Sequence, residues 1–301
     1  MNDDGYSLPG STNARIIHTA ASAIVTSAVV TSTTVTVADT TAAMGHGCEV
    51  IVPDLIDLAK TGQTTSYLPG DDGDLQAGAA WPDPRFVDLG DGTMRDMLTG
   101  LVWLKDGGCM ESSGYDDWWG TWYEVFAFVD ALNAGTVNTS ACGYTGSHDD
   151  WRVPNLNEME SLVNAEHADA MNWLEQYGFT NVAGPTDSGD YWTSTTIITT
   201  GAYRIQETGQ IGSRFKDDYH VAGVWPVREG QVGVDEPDPT YPANLAWTGQ
   251  SYDDPDVSGD DGEVQAGIHW PAPRFFNNGD GSVTIRPLTK AYWKKNKNKE
   301  K

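Results

Sequence analysis

Asp150-Trp151-Arg152-Val153-Pro154-Asn155-Leu156-Asn157-Glu158-Met159-Glu160-Ser161-Leu162 is the stretch on which the fold turns. Asn155 and Glu158 have capping-box spacing, in which the Asn side chain accepts from the Glu158 amide and the carboxylate returns to the Asn155 amide. Pro154 fixes how the chain enters this helix, and Leu156, Met159, Leu162 and Val163 form its apolar stripe. Upstream, Thr121-Trp122-Tyr123-Glu124 is a second capping box. Trp122, Val125, Phe126, Val129 and Leu132 follow it at helical spacing, with a stop near Asn133 to Gly135. Downstream the period changes to strands over residues 191–196, over 202–207 with a Thr208-Gly209 turn, and over 221–227, interrupted by Gly223 and Pro226. Two helices followed by several short strands predict an α+β domain, not alternating βαβ units.

Composition pulls the other way. The chain has 301 residues and a net charge of −25, and Leu, Ile, Val and Phe make up less than a fifth of it. Those values border on disorder. The counterweight is 12 Trp and 12 Tyr, with nine of the Trp lying between Trp81 and Trp225. One aromatic-rich core between weakly structured flanks is therefore expected. The charge excludes nucleic acid as a partner, because phosphate binding rests on clustered Lys and Arg. Five Lys crowd the last eight residues, so the body is more acidic than the total suggests.

An internal repeat organises the chain. Thr61-Gly62-Gln63, Asp72-Gly73-Asp74, Gln76-Ala77-Gly78, Trp81-Pro82-Asp83-Pro84-Arg85-Phe86 and Gly90-Asp91-Gly92 run in order. They recur as Thr248-Gly249-Gln250, Asp261-Gly262-Glu263, Gln265-Ala266-Gly267, Trp270-Pro271-Ala272-Pro273-Arg274-Phe275 and Gly279-Asp280-Gly281. So long an offset means duplication of a long unit, not a solenoid period. The second copy is cut short after Leu288-Thr289 and ends in a Lys-rich tail. The expected segments are an unassigned 1–60, a lead-in 61–84, a domain 85–230, an acidic Pro-rich linker 231–247 and the truncated copy 248–301.

No stretch reaches the roughly 18 apolar residues of a membrane span. Residues 16–37 are uncharged but filled with Ser and Thr, and Asp3 and Asp4 stand where a signal peptide carries positive charge. Three cysteines, Cys48, Cys109 and Cys142, are too few for a disulfide scaffold and include no Cys-x-x-Cys pair. Cys109 and Cys142 flank the first predicted helix; they pair in an oxidising compartment and stay free in a reducing one.

The quoted stretch, preceded by Leu98-Thr99-Gly100-Leu101-Val102-Trp103 and closed by Val224-Trp225-Pro226-Val227-Arg228, resembles the DUF1566 family, also called the Lcl C-terminal domain. Tyr191-Trp192-Thr193-Ser194-Thr195-Thr196 is similar to that family's aromatic Ser/Thr strand, and Cys109 and Cys142 stand where members often have cysteines. The resemblance covers about residues 85–230. It implies a compact C-type-lectin-like domain, similar also to formylglycine-generating enzymes, with two helices and a small, mainly antiparallel sheet. It further implies a bacterial exported, periplasmic or cell-surface setting, with adhesion to glycans as the best-known role. On this pattern Trp103, Asp150, Trp151, Arg152, Pro154, Asn155, Glu158, Trp192, Trp225, Pro226 and Arg228 are the family-motif residues.

Arg152 could act as an anion-binding fork. The preferred alternative is structural, with Trp151 in the core and Arg152 paired to a nearby carboxylate. Asp71, Asp72 and Asp74 are hard oxygen ligands on a Gly-containing loop, as calcium prefers, without the full EF-hand pattern. Calcium is thus the one cofactor left open. Asp91 between two glycines reads as a hairpin turn. Enzyme machinery is not evident: Ser147, His148, Asp149 and Asp150 are sequence neighbours that do not converge, and no nucleophile elbow, P-loop or dinucleotide glycine motif occurs. Sugar binding would use exposed aromatics, for which Tyr115, Trp118, Trp119 and Tyr144 are the candidates. A basic patch for sulfated ligands would come from Arg204, Arg214 and Lys216, working against the surrounding field. The expected function is a non-enzymatic exported binding module for a glycan or surface ligand. The alternative is a structural or protein-interaction repeat with no small ligand.

Overall fold

The computed structural model describes residues 28–31, 34–37, 49–51, 58–115, 120–182, 189–218, 222–232, 238–270, 273–285 and 292–294. Two compact units divide the chain: residues 56–270, and a unit made of residues 1–55 with 271–301. In the latter, β1 (Ala28–Thr31), β2 (Thr34–Val37) and β3 (Glu49–Ile51) form an antiparallel sheet in that order. The Thr/Val alternation of residues 34–37 suits a strand, where β-branched side chains pack well.

The larger unit is α+β. It opens with α1 (Asp72–Leu75), then the hairpin of β4 (Phe86–Asp88) and β5 (Thr93–Asp96), and β6 (Leu101–Leu104). Gly90-Asp91-Gly92 makes the hairpin turn: both glycines have positive φ, and Asp91 Oδ1 accepts from the Thr93 amide. α2 (Cys109–Ser112), α3 (Trp122–Asn133), α4 (Leu156–Glu160) and a 3₁₀ turn (Asn172–Tyr177) follow. Then come β7 (Asp190–Ile198), β8 (Gly201–Gln206), β9 (Ile211–Phe215), β10 (Val227–Glu229) and α5 (Asp261–Val264). β11 (Phe275–Asn277), β12 (Ser282–Ile285) and β13 (Tyr292–Lys294) form a second three-stranded sheet of the other unit.

Two antiparallel sheets, ordered β10-β6-β5-β4 and β7-β8-β9, carry the body. The Asn155–Glu158 capping box is complete at α4, where Asn155 Oδ1 accepts from the Glu158 amide at 3.0 Å and Glu158 returns to the Asn155 amide at 2.9 Å. Thr121 and Glu124 close the same box at the start of α3. The helix at Leu156 stops at Glu160, earlier than its apolar stripe suggests, and Leu162 is buried from the turn that follows. The closing strand differs too: Gly223 and Pro226 confine regular pairing to β10, leaving, among the described residues of 221–226, isolated bridges at Ala222 and Gly223. β9 shows little strand propensity in Gly212-Ser213 and is held by its pairing to β8.

The core is aromatic. Trp103, Trp122, Trp192, Trp225, Tyr191 and Phe128 are fully buried. Most of the buried indoles also find a polar partner: Trp122 Nε1 donates to Thr193 O at 2.8 Å, Trp192 to Gly120 O at 3.0 Å and Trp225 to Leu104 O at 2.7 Å. Each of these three indoles is thereby held in one orientation by a backbone carbonyl. Burial of one such side chain contributes about 4–6 kcal/mol before ordering costs. A chain poor in Leu and Ile therefore folds. Cys109 and Cys142, both buried, are joined by a disulfide that ties α2 to the loop after α3.

Candidate functional site

Both lead-ins belong to the ordered body, although their composition marks them as weak flanks. Each is a small self-capped module. In the second, Thr248 Oγ1 donates to Asp261 Oδ2, Gln250 Nε2 donates to Tyr252 O at 2.9 Å, and Asp260 Oδ1 accepts from the Glu263 amide at 2.9 Å. The first uses the same groups: Thr61 to Asp72, Gln63 Nε2 to Thr65 O at 2.9 Å, and the Asp74 amide to Asp71 Oδ1 at 2.9 Å. Gly73 and Gly262 are required by close approach, since a Cβ on either would collide with the carbonyl of Thr65 or Tyr252.

The second module is seated on the face formed by α4 and β7. Asn155 Nδ2 donates to Ala266 O at 2.9 Å and Asn157 Nδ2 to Ala246 O at 2.7 Å. Thr195 Oγ1 donates to Asp261 Oδ2 at 2.8 Å, and the Thr196 amide to Gln250 Oε1. Lys216 is paired with Asp254, both buried, and its ammonium lies 4.0 Å from the Trp122 ring. Asp261 is 1% exposed. Desolvation raises its pKa to about 6, against the hydrogen bonds from Thr248 and Thr195, with the charges of Glu158 and Asp260 adding to the rise. Along this seam side chains of the domain hydrogen-bond to backbone carbonyls and a carboxylate of the repeat.

The remaining sequence candidates fall on both sides of the surface. Tyr144 is 4% exposed, so it is corrected from ligand contact to core: its hydroxyl accepts from the His148 amide at 3.0 Å and from Trp151 Nε1 at 3.1 Å. Lys216 is likewise corrected, because Asp254 and Trp122 enclose it. Arg204 is ion-paired with Asp190, and burial beside Arg214 lowers its pKa. Arg214 alone of the three stays exposed, so the basic patch does not assemble. Tyr115 is 42% exposed, with its ring edge-on to Phe128 at 5.2 Å. Trp118 and Trp119 lie outside the described residues, as does Cys48.

The family-motif residues are held from within. Arg152 is bidentate to Glu158, at 2.6 Å for both bonds, and reaches Glu229 O at 3.1 Å. Arg228 pairs with Asp150 at 2.7 Å and lies over the buried Trp151. Trp103 packs edge-on to Trp225 at 5.9 Å, Pro154 O accepts from the Ser194 amide at 2.8 Å, and Pro226 O from the Leu104 amide. His148 Nε2 lies 3.3 Å from Asp91, on the hairpin turn. Asp71 accepts from the Tyr67, Leu68 and Asp74 amides, and Asp74 from the Gly70 amide. With Asp72 turned to Thr61, the three carboxylates that suggested calcium each serve a different donor. Among the described residues no three His, Cys, Asp or Glu side chains are grouped as a metal site.

Two strongly held residues carry no sequence signal of their own. Arg85, buried, is bidentate to Asp96, donates to Ser161 O at 2.6 Å and stacks 4.3 Å over Trp81, which itself stacks on Trp173. Glu166 accepts from the Thr65 hydroxyl and from the Thr64 and Thr65 amides at 2.6 and 2.8 Å, which together lower its pKa to about 2 and fasten the first lead-in. The duplicated motifs were the available pointer to Arg85 and to the seam.

With four separated motifs assembled around one buried core, the comparison with known families is decisive. Residues 92–228 match the family model of the Lcl C-terminal domain. The match begins inside the β4–β5 hairpin and ends on β10, and both lead-ins lie outside it. No curated protein matches the chain. Among the described residues no helix is long and apolar enough to cross a membrane.

Proposed function

We propose that the chain is a non-enzymatic module of an exported or cell-surface bacterial protein and that it works through protein contacts between successive repeat pieces. The carrying observation is the seating of the second lead-in on the α4–β7 face of the Lcl C-terminal domain. A face that recognises, through side chain to backbone hydrogen bonds, a stretch the chain carries twice suits a protein built in series. The Cys109–Cys142 disulfide supports an oxidising compartment outside the cytoplasm.

Hydrogen exchange at the Thr196 amide tests this, because its partner is Gln250 of the lead-in. Slow exchange that becomes fast in Gln250→Ala is expected, whereas fast exchange in the unaltered protein would refute the seating. Glycan binding is the second reading, favoured by exposed Tyr115 beside residues 116–119. On a glycan array the full chain is expected to be blank, and reproducible hits abolished by Tyr115→Ala would put glycan recognition first.

A further inference from the structure

The two lead-ins have the same internal hydrogen bonds, but each is buried on a different side. We propose that each is a two-sided connector, so that the first lead-in docks through its other side onto the α4–β7 face of a second copy of this chain whenever that copy's own second lead-in leaves the face. The inference rests on the seating of the second lead-in described above and names the partner of its twin.

One side is seen in the first copy. There the domain's Glu166 accepts from the Thr64 and Thr65 amides, and the Ala165 amide donates to Thr61 O at 2.9 Å. Thr64 and Thr65 are exposed, as are their counterparts Ser251 and Tyr252 in the second copy, where the Tyr252 ring instead lies 5.6 Å from the Lys216 ammonium. The other side is seen in the second copy, where Ala246, Gln250, Asp261 and Ala266 meet Asn157, Thr196, Thr195 and Asn155. The first copy carries Ala59, Gln63, Asp72 and Ala77 at those places. Ala266 and Gly267 are buried, whereas their counterparts Ala77 and Gly78 are exposed. Asp72, Ala77 and Gly78 of the first lead-in are thus more exposed than Asp261, Ala266 and Gly267, which its twin buries against the domain.

One position differs. The Asp254 amide donates to Asp260 Oδ2 at 3.2 Å while its carboxylate pairs with Lys216, and in the first copy the amide of Tyr67, 79% exposed, makes the equivalent bond to Asp71. Tyr67 would bring a ring to an ammonium already lying over Trp122, a weaker contact than the buried ion pair. Docking in trans is thus weaker than docking of the tethered twin, which also enjoys a roughly millimolar effective concentration. The unaltered chain is expected to be monomeric because its own second lead-in occupies the face.

The test weakens the occupant in the full chain with Gln250→Ala and Asp261→Ala and follows mass by sedimentation up to about 0.5 mM, near the effective concentration of a tethered segment. The unaltered protein should stay at 32.6 kDa. The variant's average mass should climb with concentration to at least twice that, and adding Gln63→Ala with Asp72→Ala should return it to monomer. A folded variant that stays monomeric, or association that survives loss of Gln63 and Asp72, would overturn the proposal. If the double variant loses its cooperative melt, Gln250→Ala alone is held to the same outcomes. Exchange at Thr196 separates the two levels: fast exchange in the unaltered protein removes the seating itself. Slow exchange there, fast exchange in the variant and no association remove only the connector.

Discussion

Asp261→Asn isolates the charge at the seam. The carboxyl has an ordinary pKa of 3.8 and is raised to about 6 in the folded chain, chiefly by burial. The unfolded or undocked carboxyl ionises near 3.8 while the docked one keeps its proton until about 6. The docked state therefore binds more protons over that interval, and its stability falls as pH rises. At 1.36 kcal/mol per pH unit of difference, the loss amounts to about 3 kcal/mol, fully present above pH 6 and absent below about 3.8. Asn carries no charge and keeps an acceptor oxygen for Thr195 and Thr248. The assay is hydrogen exchange at the Thr196 amide in both proteins from pH 3.5 to 7, with intrinsic rates divided out. The wild type to variant ratio of opening constants should grow by about 150-fold, the equivalent of about 3 kcal/mol. Taking the ratio cancels the titrating groups that do not interact with Asp261, leaving Asp261 and its coupled neighbours Glu158 and Asp260. A ratio that stays flat across the interval would refute a buried, proton-holding Asp261. The consequence of the reasoning is a lead-in held more tightly in acid.

Two further outcomes follow from covalent and ionic ties in the body. The disulfide separates cysteines 33 residues apart, so Cys109→Ser with Cys142→Ser should lower urea-determined stability by about 4 kcal/mol through loop entropy; a loss under about 1 kcal/mol would contradict this. Glu158→Ala should cost about 3 kcal/mol or more in denaturant melts, because it leaves Arg152, with its side chain about a tenth exposed, without its bidentate partner. A cost below about 1 kcal/mol, typical of an exposed pair, would show that Arg152 finds compensation elsewhere.

The caps, the hairpin turn and the α+β class were legible in the residues because their determinants are local. A capping box needs only positions three apart, and Asn155 with Glu158 and Thr121 with Glu124 satisfy it wherever the helix packs. Gly90-Asp91-Gly92 likewise determines its own turn through positive φ and the Asp91 bond to Thr93. The duplication and the aromatic concentration were equally open, since both are properties of order and composition.

Which polar and aromatic groups face solvent was not legible, because that depends on partners distant in sequence. Lys216 leaves the surface on account of Asp254, 38 residues away. Arg204 does so on account of Asp190 across the β7–β8 pair, and Tyr144 because Trp151 and His148 close on its hydroxyl. The acidic motifs are the clearest case: one sequence pattern, Asp-Asp-Gly, is partly exposed at Asp72 and fully buried at Asp261. Sequence determined that the module occurs twice and how each copy caps itself. Only tertiary structure decided which side each copy buries, because burial is set by the surface it meets, and the α4–β7 face is assembled from residues some forty positions apart, such as Asn155 and Thr195.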